Sequence, residues 1–250
     1  MPRYKLTVAY DGTDFHGWQK QLREDGPLRT VQGDLEEAVR KIVREPIILM
    51  GASRTDSGVH ARGQVAAFTT ALELDAERMI LAINSRLPAD VMVACAETVD
   101  LGFNPIGDAT SKGYRYRLAH GPRRPLFDRR ITSHCPTTLD VDAMSRAAGD
   151  LVGEHDFTSF ARKHHGREST VRTVYACSVA AIQEDRLRID VSGNGFLYNM
   201  VRIIAGTLVE VGRGRVPPDG IPAILAARDR QAAGPTLPPE GLCLHWIRYE

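Results

Sequence analysis

Two stretches of this chain carry the same succession of hydrophobic periods, and that succession restricts the fold more than any single motif. From Tyr4 to Tyr10 the residues alternate, with Tyr4, Leu6, Val8 and Tyr10 on one side, as in a half-buried strand. Val31 to Arg44 then places Val31, Leu35, Ala38, Val39, Ile42 and Val43 at helical spacing, stopped by Pro46. Ile47 to Met50 and Gln64 to Thr69 read as strands. Asp75 reads as the cap of a helix through Met79, Ile80 and Ile83 that ends before Pro88, and Val91 to Val99 as a further strand. The order is β-α-β-β-α-β, the split βαβ arrangement.

The second half follows the same order. Tyr114 to Ala119 is expected as a strand, Leu139 to Leu151 as a helix, and Val171 to Ala181 with Leu187 to Val191 as a hairpin turning at Gln183-Glu184-Asp185. Asn199 to Val211 is expected as a helix with Met200, Ile203, Ile204, Leu208 and Val211 on one face. A short helix over Ile221 to Arg228 and a strand over Leu242 to Tyr249 complete the unit. Residues 101–113, with Gly102, Pro105 and Gly107, form the expected connector. The expectation is an α+β chain of two β-α-β-β-α-β (ferredoxin-like) halves, 1–105 and 106–250. Their antiparallel sheets would lie side by side, with a cleft between them where a substrate can bind.

No run approaches the roughly 18 apolar residues a membrane span requires. The start, Met1-Pro2-Arg3-Tyr4-Lys5, leads into a strand pattern rather than a signal peptide. Cys95, Cys135, Cys177 and Cys243 are far apart and form no CxxC pair, which argues against a zinc site and a disulfide framework. A cytoplasmic location without membrane partner is expected. Net charge is +1, so bulk charge does not announce a nucleic-acid binder. Of the 32 basic residues, however, only Lys5, Lys20, Lys41, Lys112 and Lys163 are lysines. Arginine has the planar fork suited to phosphate. Arginines gather at Arg162 to Arg167, at Arg213-Gly214-Arg215, and at Arg115, Arg117, Arg123 and Arg124 beside Tyr114 and Tyr116. Basic groups next to aromatics fit a surface that tracks a nucleic-acid backbone. Each cluster taken alone is more often a solvated face.

The chemistry is concentrated in Arg54-Thr55-Asp56-Ser57-Gly58-Val59-His60-Ala61-Arg62-Gly63-Gln64-Val65, between two apolar runs. Asp-Ser-Gly is ordinary turn chemistry. Here it comes with two arginines and a histidine, so Asp56 is a candidate nucleophile or base, with the arginines holding an anionic partner. This string resembles the catalytic loop of the TruA-type tRNA pseudouridine synthases. Further resemblance lies in Lys112-Gly113-Tyr114-Arg115-Tyr116 and in Gly195-Phe196 to Met200-Val201-Arg202. Tyr10-Asp11-Gly12 with Phe15, Gly17, Trp18 and Gln19, Asn84 with Leu87-Pro88, Asp156 to Phe160, Arg172-Thr173-Val174 and Glu240-Gly241-Leu242 match as well. Where that family commonly has Phe-His-Ala-Arg, this chain has Phe103-Asn104-Pro105-Ile106, and an RNA-contacting arginine is missing.

The resemblance implies a pseudouridine synthase fold and isomerisation of uridine to pseudouridine in the anticodon arm of tRNA, at positions 38–40 of the substrate, with no cofactor or metal. It implies Asp56 as the catalytic carboxylate, Tyr114 stacking on the target base and Arg202 paired with the carboxylate. Arg54, His60, Arg62 and Gln19 would contact RNA, and the enzyme would be a homodimer. From periodicity alone Arg202 is solvent-facing, Tyr116 is a core residue, and His60 holds its loop by a hydrogen bond or touches RNA. His164-His165 is a poor metal site because adjacent histidines project apart. The alternatives are a non-catalytic RNA-binding protein and an aspartate-dependent nucleoside hydrolase. The hydrolase would need a second carboxylate or a metal cluster.

Overall fold

The computed structural model describes residues 1–23, 26–162 and 168–249. The run Lys163 to Arg167, including His164-His165, lies outside them. Contacts divide the chain into two units, Met1–Thr110 with Leu244–Glu250, and Ser111–Cys243.

In the first unit, β1 (Arg3–Tyr10) runs antiparallel to β5 (His60–Thr69) on one side and β6 (Val91–Val99) on the other. A short hairpin, β2 (Leu22–Arg23) and β3 (Gly26–Pro27), precedes helix α1 (Val31–Val43); β4 (Met50–Gly51) pairs with β5, and α2 (Ala76–Asn84) leads to β6. The alternation read in β1 is real, with Tyr4, Leu6, Val8 and Tyr10 all buried. Thr30 caps α1 by accepting from the Gly33 N–H, and Asp75 caps α2 by accepting from the Arg78 N–H. α1 stops at Arg44, which takes the left-handed conformation two residues before Pro46.

One expected strand is nearly absent. Ile47 and Leu49 are buried and Ile48 is 83% exposed, as a strand would have them. Yet only Met50 and Gly51 join the ladder. The carbonyls of Ile47 and Leu49 accept instead from side chains of α1: Arg40 Nη2 at 3.3 Å and Gln32 Nε2 at 2.9 Å. These carbonyls therefore have partners without a neighbouring strand.

The second unit has β7 (Ser111–His120) antiparallel to β11 (Arg186–Gly193), then β10 (Val171–Gln183) and β9 (Gly153–Asp156), while β8 (Ser133–Cys135) runs parallel to β7. Helices α3 (Val141–Gly149), α4 (Met200–Gly212) and α5 (Ile221–Ala227) complete it. The hairpin turns at Glu184-Asp185, within the expected triplet. Tyr116 is fully buried, its hydroxyl donating to the Pro238 carbonyl at 2.7 Å, and burial pushes its phenol pKa up.

Periodicity misjudged α4. Besides the expected face, Val201, Ala205, Gly206, Thr207 and Val209 are buried too. A strap over Gly234 to Leu237 covers that side. The Gly234 N–H donates to Thr207 Oγ1 at 2.9 Å, the Leu237 N–H to the Arg202 carbonyl at 3.3 Å, and a side chain at Gly206 would collide with the Pro235 carbonyl.

The closing strand β12 (Leu242–Arg248) forms where expected, but from Leu244 onward it groups with the first unit. The Thr110 N–H donates to the Arg248 carbonyl at 2.9 Å and the Tyr249 hydroxyl to the Pro105 carbonyl at 2.9 Å. Pattern alone, which placed it in the 106–250 half, cannot see such long-range bonds.

Asp156 ends β9 in a turn. Its Oδ1 accepts from the Thr158 N–H at 3.0 Å and from the hydroxyls of Thr158 and Thr170, both at 2.6 Å. The Thr158 hydroxyl, then that of Thr170, holds its carboxyl below the ordinary pKa, and Arg228 adds to this. A carboxyl with a depressed folded pKa stabilises the fold above the ordinary carboxylate range, and that contribution is lost as pH falls through the folded value. The Asp156→Asn variant should therefore be less stable than wild type at pH 7 and fall less steeply below about pH 4. Urea midpoints at pH 7 and pH 3 check this.

Candidate active site

The loop carrying Asp56 leaves β4 and enters β5. At its start Gln64, fully buried in a strand of small apolar residues, turns its amide onto the backbone. Its Oε1 accepts from the N–H groups of Ser53 at 3.2 Å and Val65 at 3.1 Å, and its Nε2 donates to the Ser53 carbonyl at 2.5 Å. The next residues are held by the segment that follows β1. The Trp18 N–H donates to the Thr55 carbonyl at 3.1 Å, and the hydroxyls of Tyr10 and Thr55 are 2.7 Å apart and buried. The Phe15 carbonyl accepts from the Gly58 N–H at 3.3 Å and the Ser57 hydroxyl at 3.1 Å.

Two glycines make this approach possible. Gly17 has φ of +89°, and a Cβ there would stand 2.6 Å from the Thr55 carbonyl oxygen. A Cβ on Gly12 would collide with the Val59 carbonyl. The loop therefore buries Thr55 and leaves Arg54 exposed and Asp56 half-buried. Hydrogen bonds to backbone groups thus hold the loop on either side of Asp56, at Thr55, Ser57 and Gly58.

His60 is buried at the start of β5. Its Nδ1 accepts from the Gly12 N–H at 3.0 Å, and Asp11 Oδ1 lies 3.2 Å from the same nitrogen. This is the loop-holding role that the sequence offered as one of two readings. Arg62 is exposed two residues further along β5. Gln19 is half-buried, and its Nε2 donates to Gln32 Oε1 at 2.6 Å, which also accepts from the Lys20 N–H at 3.0 Å. The residues named from sequence in this unit thus gather around one loop, with Gln19 tied to α1.

In the second unit, Tyr114 is buried on β7 and meets Phe196 edge-on, with ring centroids 5.2 Å apart. Arg202 stands in the first turn of α4. It is half-buried rather than solvent-facing, because the strap over that side of the helix supplies a partner. Its Nε donates to the Leu237 carbonyl at 2.6 Å and its Nη1 to Asn199 Oδ1 at 3.0 Å. Asn199 itself takes the left-handed conformation that opens the helix. The guanidinium is near enough to counteract part of the upward push on the Tyr116 phenol. Among the described residues, no group of three or more His, Cys, Asp or Glu side chains could hold a metal ion. Nor is any helix among them long and apolar enough to cross a membrane.

A family model described as tRNA pseudouridine synthase matches residues 6–105 and 147–250. The chain belongs to this family. A tRNA pseudouridine synthase A of Bacillus pumilus is 46% identical over 250 residues, covering 99% of each chain. One of Brevibacillus brevis is 45% identical over 249 residues, covering each chain completely. One of Halalkalibacterium halodurans is 48% identical over 244 residues, covering 97% of this chain and 90% of that one. The α+β pseudouridine synthase fold read from the sequence is the one this family has.

Sequence reading passed over Gln64, Tyr10 with Thr55, and Phe196 as supports. A signal existed for Gln64, a lone amide before Val65-Ala66-Ala67-Phe68 in a buried strand. Gln64→Leu would strand the N–H groups of Ser53 and Val65 and the Ser53 carbonyl. It should cost roughly 2–3 kcal/mol in urea unfolding. It should also lower kcat on the proposed substrate more than it raises KM. Unchanged stability would mean that the loop is held elsewhere.

Proposed function

We propose that this chain isomerises uridine to pseudouridine in the anticodon arm of tRNA, with Asp56 as the catalytic carboxylate. The observation that carries the assignment is the braced loop. A carboxylate on a surface loop is ordinarily mobile. This one lies between bonds to Trp18, Phe15, Gly12 and Gln64, in a chain whose relatives over its full length are named for the reaction.

The reaction breaks the bond from ribose C1′ to uracil N1, turns the base, and forms the bond from C1′ to C5. The C5 proton leaves and N1 gains one. No electrons are transferred and no group is lost, so the proposed chemistry needs no cofactor. Asp56 would attack C1′, attack uracil C6, or promote a glycal by loss of the C2′ proton, and in each case the same side chain is required. The target base must leave its stack, at a cost of a few kcal/mol. Exposed Arg54, beside Asp56, suits the vacated space or the adjacent phosphate. Roles for Tyr114 in stacking on the base and in proton transfer, and for Arg202 as counter-charge to the carboxylate, rest on the signatures those residues occupy. His60 would act through the loop it holds. Arg62 and Gln19 complete the proposed RNA contacts. A homodimer and a cytoplasmic location belong to the same proposal.

Unmodified tRNA transcripts with tritium at uracil C5 test this directly, because rearrangement releases that hydrogen to solvent. Wild type should release tritium without added cofactor. Asp56→Ala and Asp56→Asn should release none while keeping tRNA affinity within a few fold. Binding without release by wild type at any anticodon-arm uridine would favour a non-catalytic RNA-binding protein. Loss of folding in the Asp56 variants would make Asp56 a structural residue.

A further inference from the structure

The most exposed aromatic side chain among the described residues plays no part in the site above. Phe127 is 97% exposed and its neighbour Leu126 66%. Both stand at the tip of the loop from Gly121 to Thr132, which joins β7 to β8. Arg123, Arg124, Arg129 and Arg130 are exposed around them.

The loop is built, not slack. Gly121 turns the chain at φ of +91°, its N–H donates to the Thr137 carbonyl at 3.2 Å, and its carbonyl lies 2.8 Å from His134 Nε2. The loop's single carboxylate, Asp128, is used inward: it accepts from the Thr132 hydroxyl at 3.2 Å and pairs with Arg186 at 3.6 Å. Arg129 Nη1 donates to the Leu126 carbonyl at 3.0 Å, fixing the tip. An aromatic face and several guanidinium groups are therefore presented outward, with the one acidic side chain of the loop turned to its base.

Aromatic and arginine side chains are also enriched where proteins meet, but copies joined two-fold through this loop would set the four arginines of one against those of the other. Four arginines around two apolar side chains suit a polyanion with exposed rings: unpaired bases stack on aromatic side chains while arginines hold the backbone. We propose that this loop is a second RNA-contact element, in which Phe127 stacks on an unpaired base of the tRNA and Arg123 and Arg124 hold phosphates beside it. The proposal rests on the tRNA reading above and adds a contact outside the carboxylate loop.

The test compares wild type with Phe127→Ala, Phe127→Trp and the Arg123→Ala/Arg124→Ala double variant, using an unmodified full-length tRNA transcript. Tritium release gives kcat and KM, filter binding across a salt series gives affinity, and sedimentation gives mass. Exposure at this position means that thermal stability should not change. Phe127→Ala should raise KM and Kd about tenfold with kcat within twofold, and Phe127→Trp should retain wild-type values. The double variant should flatten the dependence of log affinity on log salt by roughly 0.7 to 0.9 for each phosphate that is no longer neutralised. Unchanged affinity in Phe127→Ala would overturn the proposal. So would a fall in its sedimentation mass, which would make the loop an interface between copies. If wild type itself releases no tritium, the catalytic reading fails, and filter binding still decides the role of Phe127.

Discussion

The candidate site depends on one contact between two backbones, the segment Gly12 to Trp18 laid against the loop Thr55 to His60. Few bonds are involved: Trp18 to Thr55, Gly58 and Ser57 to Phe15, and Gly12 to His60. Half of them run from backbone to backbone, and each of the others has a backbone group at one end, so little side-chain freedom is left to average over. Their number matters less than what they exclude. A side chain at Gly12 or Gly17 would push the loop away from β1. Small displacements of a catalytic group cost rate steeply, so a loop fixed by close backbone approach suits the role proposed for Asp56, whether its target is an atom of the ribose or of the base.

That seat is in turn tied to α1. Gln32, buried in the first turn, accepts from Gln19 and the Lys20 N–H and donates to the Leu49 carbonyl. Glu36, one turn later, pairs with Lys20 and Arg40 at 2.7 Å each. Glu36 is almost fully buried while both cations are half exposed, so these pairs neutralise a buried charge more than they add stability. The chain thus runs from helix to seat to loop through side chains that periodicity treats as the polar edge of an amphipathic helix. Their function is to fix the positions of Trp18 and Leu49.

Most of the order of elements was legible because it rests on local periods: β1, α1, α2, β6, β7, α3 and the β10–β11 hairpin lie within a few residues of where the pattern puts them. The departures share one cause, a long-range partner. Ile47 and Leu49 alternate like a strand, yet give their carbonyls to α1. Arg202 sits on the wheel where solvent should be, yet a strap from residues 234–237 covers that face and takes up its guanidinium. The closing strand follows the second half in sequence and joins the first through Thr110 and Pro105. At the candidate site, the placement of Asp56 and Arg54 on a loop between two strands was legible from their string of neighbours. Gln64 and Tyr10 were not, because a buried amide and a sheet tyrosine carry no chemistry until their hydrogen bonds are known.

The two units share one local device that the pattern of strands and helices does not reveal. Asp11-Gly12-Thr13-Asp14-Phe15 and Asp156-Phe157-Thr158-Ser159-Phe160 are both Asp-x-Thr-x-Phe at the end of a strand. In each, the aspartate Oδ1 accepts from the threonine N–H at 3.0 Å and its hydroxyl at 2.6 Å, and the final phenylalanine is buried. The turn stops the strand by offering its backbone a side-chain acceptor, and the buried ring sets where the chain goes next. What differs is what the turn carries. In the first unit it delivers Gly12 and Phe15 to the carboxylate loop. In the second, Ser159 donates to the Ile224 carbonyl and Asp156 pairs with Arg228, so the same turn anchors α5. The glycine at the second position decides between the two uses. Only without a side chain there can the turn lie flat against Val59, and only then can His60 reach its N–H.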